Sequence, residues 1–350
     1  MKFEWITEWE TIWSEQFQSQ WLDWMERADN AHVFFHPAMA KAWVDTYMPL
    51  RDIRPLFCIA TQGENTIFLP LVLWKKNWKN AFERAIVPVG YSDFDYHDPI
   101  VVGKDLHNWK EFWKTFFEEV KLRWHSSFDT ITIDGIRKNA IGSLQEWEEI
   151  EVCPYIDLST FPDSDAFLQS LKKNLRQDTK RRVRRLEEND DVTFQVFKEN
   201  ELTQALQTLP DLLDHHIKRW PNAYKAPHFH ENLIKALLPK GLLHFSRICI
   251  GTKTISWRIG FIYKSRYYSY MPAFDIEYNQ YSPGKVHLFY CIDDAIKRGL
   301  KTYDQLRGAE LYKNEWTNTV DSVWTYHKSS DGFSTTLKTK LNELKNALKT

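Results

Sequence analysis

Four consecutive residues, Ser282-Pro283-Gly284-Lys285, have the composition of a helix start that binds an anion. Ser282 is a favourable N-cap residue, and Pro283 suits the first helical position because its missing N–H is not needed there. Gly284 leaves the neighbouring amides uncovered, and Lys285 adds a positive charge. Free amides, the positive end of the helix dipole and a lysine together favour a phosphate or carboxylate. The alternative is an ordinary helix start without a ligand.

The strands predicted on either side of this helix favour the ligand site. An aromatic strand over residues 267–274 precedes the helix, and a short strand over residues 302–306 follows it. Loops at strand ends of open α/β sheets are common ligand sites. Pro272 cannot donate a hydrogen bond to a neighbouring strand, so it predicts a bulge or a separation of strands. A separation there would open a cleft beside Ser282.

A densely basic helix is predicted over residues 165–188. Its basic residues are Lys172, Lys173, Arg176, Lys180, Arg181, Arg182, Arg184 and Arg185. A nucleic-acid or phosphate contact is one interpretation, and a solvated helix face is the other. At about 100° per residue, Arg182 lies on the apolar stripe of this helix, whereas most of its basic neighbours do not. A buried guanidinium needs an anionic partner, so we expect Arg182 to meet a carboxylate or an acidic ligand.

Length and composition indicate a folded protein of two domains. A chain of 350 residues exceeds one typical core, and 43% apolar with 27% charged residues is typical of folded rather than disordered chains. The net charge of −1 gives no overall attraction to nucleic acid or anionic membrane. Four scattered cysteines without CxxC spacing favour reduced thiols in the cytoplasm. We expect no signal peptide and no membrane span.

The order of predicted elements repeats, which indicates a duplicated α/β unit with mixed sheets. The first half contains a hairpin over residues 56–73, and the second half contains an antiparallel meander over residues 242–274. Residues 1–30 are predicted to form an aromatic helix or helix pair that packs its tryptophans on the core. We therefore expect an N-terminal domain over residues 1–155, a C-terminal domain over 156–335 and an amphipathic helix over 336–350.

Several common site motifs do not occur in the sequence. His215, His216, His228 and His230 lack supporting cysteine or carboxylate spacing, so we expect no metal site. There is no G-x-S-x-G, P-loop or G-x-G-x-x-G pattern. A lipase-type nucleophile and a dinucleotide fold therefore have no support.

The chain resembles a known superfamily through short motifs that occur in a shared order along most of its length. They are Phe35-His36-Pro37, Ser92 to Pro99, Tyr155-Ile156-Asp157-Leu158, Arg181 to Leu186, His215 and His216 with Arg219-Trp220, Phe274-Asp275, Ser282-Pro283-Gly284, and Gly308 to Trp316. The second half resembles a domain of the GNAT superfamily of acyltransferases. The whole chain resembles the acetyltransferase-like family associated with bacterial cellulose biosynthesis. That family is similar to the Fem-type peptidyltransferases, which carry two GNAT-like domains in tandem.

The resemblance implies two tandem GNAT-like domains and a metal-free transfer of an acetyl or other acyl group from acyl-CoA. The acceptor would be an amine or hydroxyl of a cell-envelope, polysaccharide or small-molecule compound. The donor pyrophosphate would lie on Ser282, Pro283, Gly284 and Lys285, and its pantetheine arm would pair with the strand near Pro272. The segment has one glycine where GNAT loops have several. An aminoacyl-tRNA donor, as in Fem-type enzymes, and a non-catalytic binding module are therefore alternatives.

The resemblance and the chemical needs of acyl transfer assign roles to single residues. Asp304 is the first candidate for the base that deprotonates the acceptor, with Asp275 and Glu310 in reserve. Tyr312 stands where GNAT enzymes hold a tyrosine that protonates the leaving thiolate, and Lys313 would stabilise oxyanion charge. The candidates for binding the acceptor are Asp95, Tyr96, His97, Arg182 and Trp220. The N-terminal domain has no counterpart of the Ser-Pro-Gly-Lys segment and is expected to bind no donor.

Overall fold

The fold is described by a computed structural model, which covers residues 1–77, 80, 82–103, 108–142, 144–189, 191–221, 223, 226–330 and 340. Its helices are α1 Trp9–Ile12, α2 Glu15–Arg27, α3 Pro37–Tyr47, α4 Trp109–Trp124, α5 Ser164–Ser170, α6 Lys173–Glu187, α7 Leu202–Arg219, α8 Phe229–Leu237, α9 Pro283–Lys297 and α10 Leu311–Trp316. Its strands are β1 Lys2–Ile6, β2 Ile53–Pro55, β3 Phe57–Gln62, β4 Asn65–Leu69, β5 Leu71–Lys75, β6 Arg84–Pro88, β7 Ile100–Val102, β8 Thr130–Arg137, β9 Glu148–Asp157, β10 Val192–Val196, β11 Leu243–Ile250, β12 Lys253–Tyr263, β13 Arg266–Phe274, β14 Thr302–Asp304 and β15 Thr319–Ser329.

The chain divides into two compact units. Unit 1 comprises Met1–Glu151 with the described residues from Ser322 onward, and unit 2 comprises Val152–Asp321. The C-terminal strand β15 joins unit 1 because its residues pair antiparallel with β8, from Val323 opposite Arg137 to Ser329 opposite Thr130. The sequence instead suggested that residues up to 335 stay with the second domain. The predicted helix over 336–350 lies outside the described residues.

Unit 1 contains two groups of paired strands. Strands β1, β3, β4 and β7 form an antiparallel sheet in that order, and β15, β8, β6, β5 and β2 pair in a second series. The hairpin expected over residues 56–73 is wrong in its second strand, because the chain breaks at Pro70 into β4 and β5, which belong to different sheets. Proline lacks the N–H that a central ladder position needs, which accounts for the break.

The N-terminal segment of unit 1 differs in part from its prediction. Lys2–Ile6 is a strand that pairs with β3, so the expected helix begins only at Trp9. Long-range pairing has overridden the helical spacing of the aromatic residues there. The prediction that α2 packs an aromatic face on the core is confirmed, since Trp21 is fully buried and lies against Phe57 and Phe68.

Unit 2 contains the predicted meander and the helix that follows it. Strands β10, β11, β12, β13, β14 and β9 are neighbours in that order, and β13 with β14 is the parallel pair. Helix α9 packs on this sheet through a core that includes Leu288, Ile292 and Tyr303. The single basic helix expected over 165–188 is wrong. It consists of α5 and α6, separated by the extended Leu171 and Lys172.

Candidate active site

The start of α9 has the predicted sequence roles but only one free amide. Ser282 occupies the N-cap position in the left-handed region, with a φ of 51°, and its side chain makes no capping hydrogen bond. Its carbonyl accepts hydrogen bonds from the amides of Lys285 at 3.0 Å and Val286 at 3.1 Å. Pro283 has no N–H, so Gly284 carries the one first-turn amide without a partner among the described residues. The N-terminus of α9 therefore offers fewer free hydrogen-bond donors than its sequence suggested.

Lys285 at this helix start is paired with an acid from another helix. Its Nζ lies 2.9 Å from the Oδ2 of Asp178 in α6. Asp178 also accepts from Arg181 at 2.6 Å and from the Nε of Arg182 at 3.4 Å. These contacts, with the Lys285 hydrogen bond as the largest, lower the pKa of Asp178 to about 2. Three cations thus share one carboxylate beside the first turn of α9.

Gly284 allows the helix start to lie directly against the end of β13. A Cβ atom at this position would be 3.0 Å from the ring of Phe274. The guanidinium of Arg219, at the end of α7, lies 5.2 Å from the centre of that ring and 4.7 Å from that of Trp220. Arg219 is thus within cation–π distance of Trp220 and of Phe274, whose ring lies against Gly284.

Strands β13 and β14 separate close to where the sequence predicted. They pair only from Arg266 opposite Thr302 to Tyr268 opposite Asp304. Beyond Tyr268, β13 continues for six residues to Phe274 with β12 as its partner among the described strands. The edge of β13 that faced β14 is thus left without a strand partner on the way to α9.

A bulge accompanies this separation, at a different residue from the predicted one. Ile259 pairs with Met271 and Gly260 pairs with Ser269, so Tyr270 is the extra residue in β13. Pro272 lies two residues further on and pairs in register with Arg258. Its carbonyl accepts a 2.9 Å hydrogen bond from the Nδ1 of His216. Burial lowers the pKa of His216, which favours the neutral ring.

Asp304, the predicted base, is buried and already engaged. Its side chain is 2% exposed, and its Oδ2 lies 2.9 Å from Nη1 of Arg266. Its Oδ1 accepts from the amide of Leu306 at 2.8 Å, where the chain turns with a φ of 59°. Both oxygens therefore hold the end of β14 in place, which is the geometry of a positioning residue.

Asp275 and Lys313 also have partners within the protein. Asp275 is buried, accepts from the amide of Glu277 at 3.0 Å and lies 3.4 Å from Lys253. Lys313 is buried, donates to the carbonyl of Arg307 and lies 3.0 Å from the carboxylate of Glu310. These contacts fix both side chains at the ends of the elements that carry them.

Tyr312, in α10, is more exposed than Asp304, Asp275 and Lys313. It is half-buried against the core beneath α9. It is near enough to interact electrostatically with the guanidinium of Arg258 and with Tyr303. Sequence reasoning missed Arg258, although an arginine inside the apolar strand Ile255–Tyr263 was a visible signal. The hydroxyl of Ser269, which accepts from Arg258 at 2.8 Å, was missed as well.

The other predicted site residues lie in several places. Arg182 is half-buried, and besides Asp178 it reaches the carbonyl of Gln280 at 3.0 Å, close to the start of α9. The ring of Trp220 is tilted against that of His216, with 4.5 Å between their centres, and Arg219 lies near both Trp220 and Phe274. Unit 2 thus brings Arg182, Trp220 and the Ser282–Lys285 segment to one end of β13.

Three of the five residues predicted to bind the acceptor, Asp95, Tyr96 and His97, lie in unit 1. Tyr96 and His97 are buried, whereas Asp95 is half-buried. The Nδ1 of His97 donates to the carbonyl of Asp134 at 3.0 Å, and the ring of Tyr96 lies 4.9 Å from the guanidinium of Arg137. They form part of the polar interior of that unit.

The described residues contain neither a cluster arranged to bind a metal ion nor a helix that could span a membrane. No group of three or more His, Cys, Asp or Glu among the described residues is arranged to hold a metal ion. His215 instead stacks on Trp257 at 4.9 Å, and His228 lies 3.0 Å from Glu231. Within the described part of the chain, no helix combines the length and the apolar character needed to cross a bilayer.

Comparison with known proteins identifies the fold. Residues 173–314 match the family model described as the acetyltransferase (GNAT) domain. FemX has a similar structure, with 12% identity, a TM-score of 0.63 and coverage of 93% of this chain and 97% of FemX. A tandem GNAT protein from the clavulanic acid biosynthesis pathway is 8% identical, with a TM-score of 0.50 and coverage of 95% and 99%.

A third similar structure is the C-terminal domain of a proposed lysylphosphatidylglycerol synthetase from Agrobacterium fabrum. It is 10% identical, with a TM-score of 0.53 and coverage of 85% of this chain and 93% of that domain. No curated protein matches the chain by sequence. The chain therefore has the tandem GNAT fold, similar to that of FemX, and the match to the GNAT domain model lies in unit 2. The closer assignment to the cellulose-biosynthesis family stays a prediction.

Proposed function

From this GNAT domain, we propose that the chain transfers an acetyl or other acyl group from acyl-CoA to an amine or hydroxyl. The acceptor would be a cell-envelope, polysaccharide or small-molecule compound. The observation that carries the proposal is the separation of β13 from β14 beyond Tyr268, after which this edge of β13 has no partner among the described strands as far as the start of α9. An extended donor arm can pair with such an edge, as an added strand would.

The proposed donor site uses the groups at the two ends of this open edge. The amide of Gly284 and the ammonium of Lys285 would hold the donor phosphates, with Ser282 and Pro283 shaping the turn. A phosphate that binds Lys285 would compete with Asp178 for its Nζ. Arg181 and Arg182 would keep Asp178 paired during that exchange.

The proposed chemistry is a direct acyl transfer. The acceptor nitrogen or oxygen attacks the thioester carbonyl carbon, the new C–N or C–O bond forms and the C–S bond breaks. The proton that the acceptor loses ends on the departing sulfur, so that CoA leaves as a thiol. We assign the delivery of that proton to Tyr312. Asp304, Asp275 and Lys313 would act by holding the surrounding backbone, since their charged groups are already paired.

The test is a thermal melt with acetyl-CoA, followed by an assay of thiol release with amine and hydroxyl acceptors. A ligand at 100 times its dissociation constant adds about 2.7 kcal/mol to the free energy of unfolding, so a clear rise in Tm is expected. Lys285→Ala should reduce this rise. The matched control is Lys297→Ala at the other end of α9, where Lys297 is exposed and pairs with Asp293. This variant should keep the full rise in Tm with acetyl-CoA. No Tm rise with any CoA compound would contradict the proposal.

An aminoacyl-tRNA donor is the second candidate, favoured by the basic surface of α6 and by the likeness to FemX. Several of these cations are paired with acids, for example Lys180 with Asp165 and Arg184 with Glu188, which leaves less charge for RNA. Binding of tRNA that weakens steeply with salt, without a response to acetyl-CoA, would favour this candidate. No response to either ligand would favour a non-catalytic binding module.

A further inference from the structure

Arg258 carries a buried charge without a carboxylate partner. It lies in the middle of β12 and is 3% exposed. Its Nη1 donates to the hydroxyl of Ser269 at 2.8 Å, and its Nε has no hydrogen-bond partner among the described residues. No Asp or Glu among the described residues forms an ion pair with it. Arginine stays protonated in proteins, so the charge is permanent.

The groups around Arg258 are neutral. Tyr303 donates to the same Ser269 hydroxyl at 3.3 Å. His287 hydrogen-bonds with Ser256 at 2.8 Å, and burial holds the pKa of His287 well below its usual range. Within the described part of the chain, the neighbourhood therefore supplies hydroxyls and rings but no negative charge.

Three other cations that are partly or fully buried differ from Arg258 in this respect. Arg266 pairs with Asp304, Arg137 pairs with Asp98, and Lys313 pairs with Glu310. A buried charge without a counter-ion is costly for a folded protein. A binding anion would remove that cost, and Arg258 therefore has the properties of one half of an ion pair.

The position of Arg258 relates it to the proposed donor site. Ser269, its hydrogen-bond partner, is the first residue of β13 after the last one paired with β14. Phe274, at the other end of the open edge, lies against Gly284 at the start of α9. At about 3.3 Å per residue, the five steps between Ser269 and Phe274 span roughly 16 Å. A linear donor with its phosphates at α9 would thus carry its acyl group to the side of Arg258.

We propose that Arg258 binds a carboxylate at the far end of the donor's acyl chain, so that dicarboxylic acyl-CoA thioesters are the preferred donors. This inference rests on the proposed acyltransferase function. The distal carboxylate is unchanged in the reaction. The acceptor forms its bond to the thioester carbonyl carbon, the C–S bond breaks, and the acceptor's proton ends on sulfur. A guanidinium recognises a carboxylate through paired hydrogen bonds, and the Nε of Arg258 is available for one of them.

The experiment compares two donors that differ in the carboxylate. Succinyl-CoA and butyryl-CoA both carry four-carbon acyl groups, and only the first ends in a carboxylate. Calorimetric titration of the wild-type protein should give a dissociation constant at least about tenfold lower for succinyl-CoA, since a buried polar site discriminates strongly against a ligand that leaves it unpaired. Acetyl-CoA should resemble butyryl-CoA.

Two variants and a control assign the preference to Arg258. Arg258→Met should abolish the difference between the two donors, and Arg258→Lys should retain part of it. Arg247→Met is the control, because Arg247 lies on the adjacent β11 and binds Gln195 at 2.9 Å instead. It should keep the full preference. The ratio of the two dissociation constants is a property that a merely structural arginine would not change.

Each other outcome counts against the inference. Equal binding of succinyl-CoA and butyryl-CoA by the wild type would overturn it while the proposed function stands. A preference that survives in Arg258→Met would overturn it as well. No binding of any CoA thioester would overturn the proposed function together with this inference. If Arg258→Met does not fold, the wild-type comparison and Arg258→Lys decide the matter.

Discussion

The Nζ of Lys285 at the start of α9 lies 2.9 Å from the carboxylate of Asp178 in α6. Arg181 and Arg182 bind the same carboxylate, so three positive charges meet one negative charge, a formal sum of +2. The cluster can therefore attract a phosphate although Lys285 is already paired. Asp178 holds the cations in place when no ligand is bound, and a ligand phosphate would compete with it.

Asp178→Asn should destabilise the protein in a pH-dependent manner. The hydrogen bond from Lys285 lowers the pKa of Asp178 from 3.8 to about 2 in the folded state. Because the folded pKa is depressed, the stabilisation is present above the unfolded pKa and is lost as pH falls through the folded pKa. We expect a lower Tm than wild type at pH 7 and a difference that shrinks as pH falls from 3.8 towards 2, measured by thermal melts.

The control for this prediction is Glu188→Gln. Glu188 lies 3.7 Å from Arg184, and both side chains are well exposed. Exposed pairs of this kind contribute about 0–1 kcal/mol, so the variant should melt close to wild type at every pH. A deficit of Asp178→Asn that stays constant down to pH 2 would show that the carboxylate charge is not its cause.

Arg182→Ala should reduce stability far more than Arg184→Ala. Arg182 is half-buried and binds both Asp178 and the carbonyl of Gln280, so its loss removes one of the three cations around Asp178 and takes this donor from the Gln280 carbonyl. We expect a loss of roughly 1–2 kcal/mol in the free energy of unfolding from urea titration. Arg184 is 78% exposed and should change it by no more than about 0.5 kcal/mol. Equal losses in the two variants would refute the assigned role of Arg182.

Local sequence patterns predicted the elements that surround the candidate site. The order of strand segments and turns indicated the meander of β11 to β13, and Ser282 with Pro283 indicated the N-cap and the first residue of α9. The separation beyond Tyr268 was expected from Pro272, although the bulge lies at Tyr270. These features depend on periodicity and on backbone chemistry, which neighbouring residues determine.

Charge pairing between distant elements could not be predicted in the same way. Asp178 and Lys285 are 107 residues apart, so no spacing rule connects them. In the sequence, Arg258 is flanked by the apolar Trp257 and Ile259. Only the structure shows that it is buried without an acidic partner among the described residues. Lys2–Ile6 became a strand because of pairing with β3, which lies some fifty residues later.

Gly308→Ala should lower stability more than Gly299→Ala. Gly308 has a φ of +127°, far from the conformations open to alanine, and a Cβ atom there would be 2.7 Å from the Nζ of Lys313. Gly299 has a φ of +69° and open space around it, so only about 1–2 kcal/mol of left-handed strain applies. Urea titration of both variants measures the difference. If Gly299→Ala had the lower free energy of unfolding, the crowding at Gly308 would be insignificant.

Asp304→Asn should lower stability as well as any activity. Its carboxylate neutralises Arg266 and fixes the amide of Leu306, so the amide side chain would weaken a buried ion pair. We expect a loss of roughly 1–3 kcal/mol in the free energy of unfolding. Asp293→Asn is the control, because its partner Lys297 is 72% exposed. A variant as stable as wild type, with reduced turnover, would instead restore Asp304 as the base.

Tyr312→Phe should separate catalysis from stability. The phenol is half-buried, and removal of its hydroxyl leaves the ring packed beneath α9, so the Tm should change by little. If Tyr312 protonates the leaving sulfur, thiol release should fall by about 10²-fold or more, because general acid catalysis contributes that much. The loss should appear in kcat rather than in the affinity for the donor, since the proton moves only as the C–S bond breaks. Wild-type kcat in Tyr312→Phe would assign the proton transfer to another group. The matched control is Tyr290→Phe, which should keep the wild-type kcat, because the hydroxyl of Tyr290 donates to Glu187.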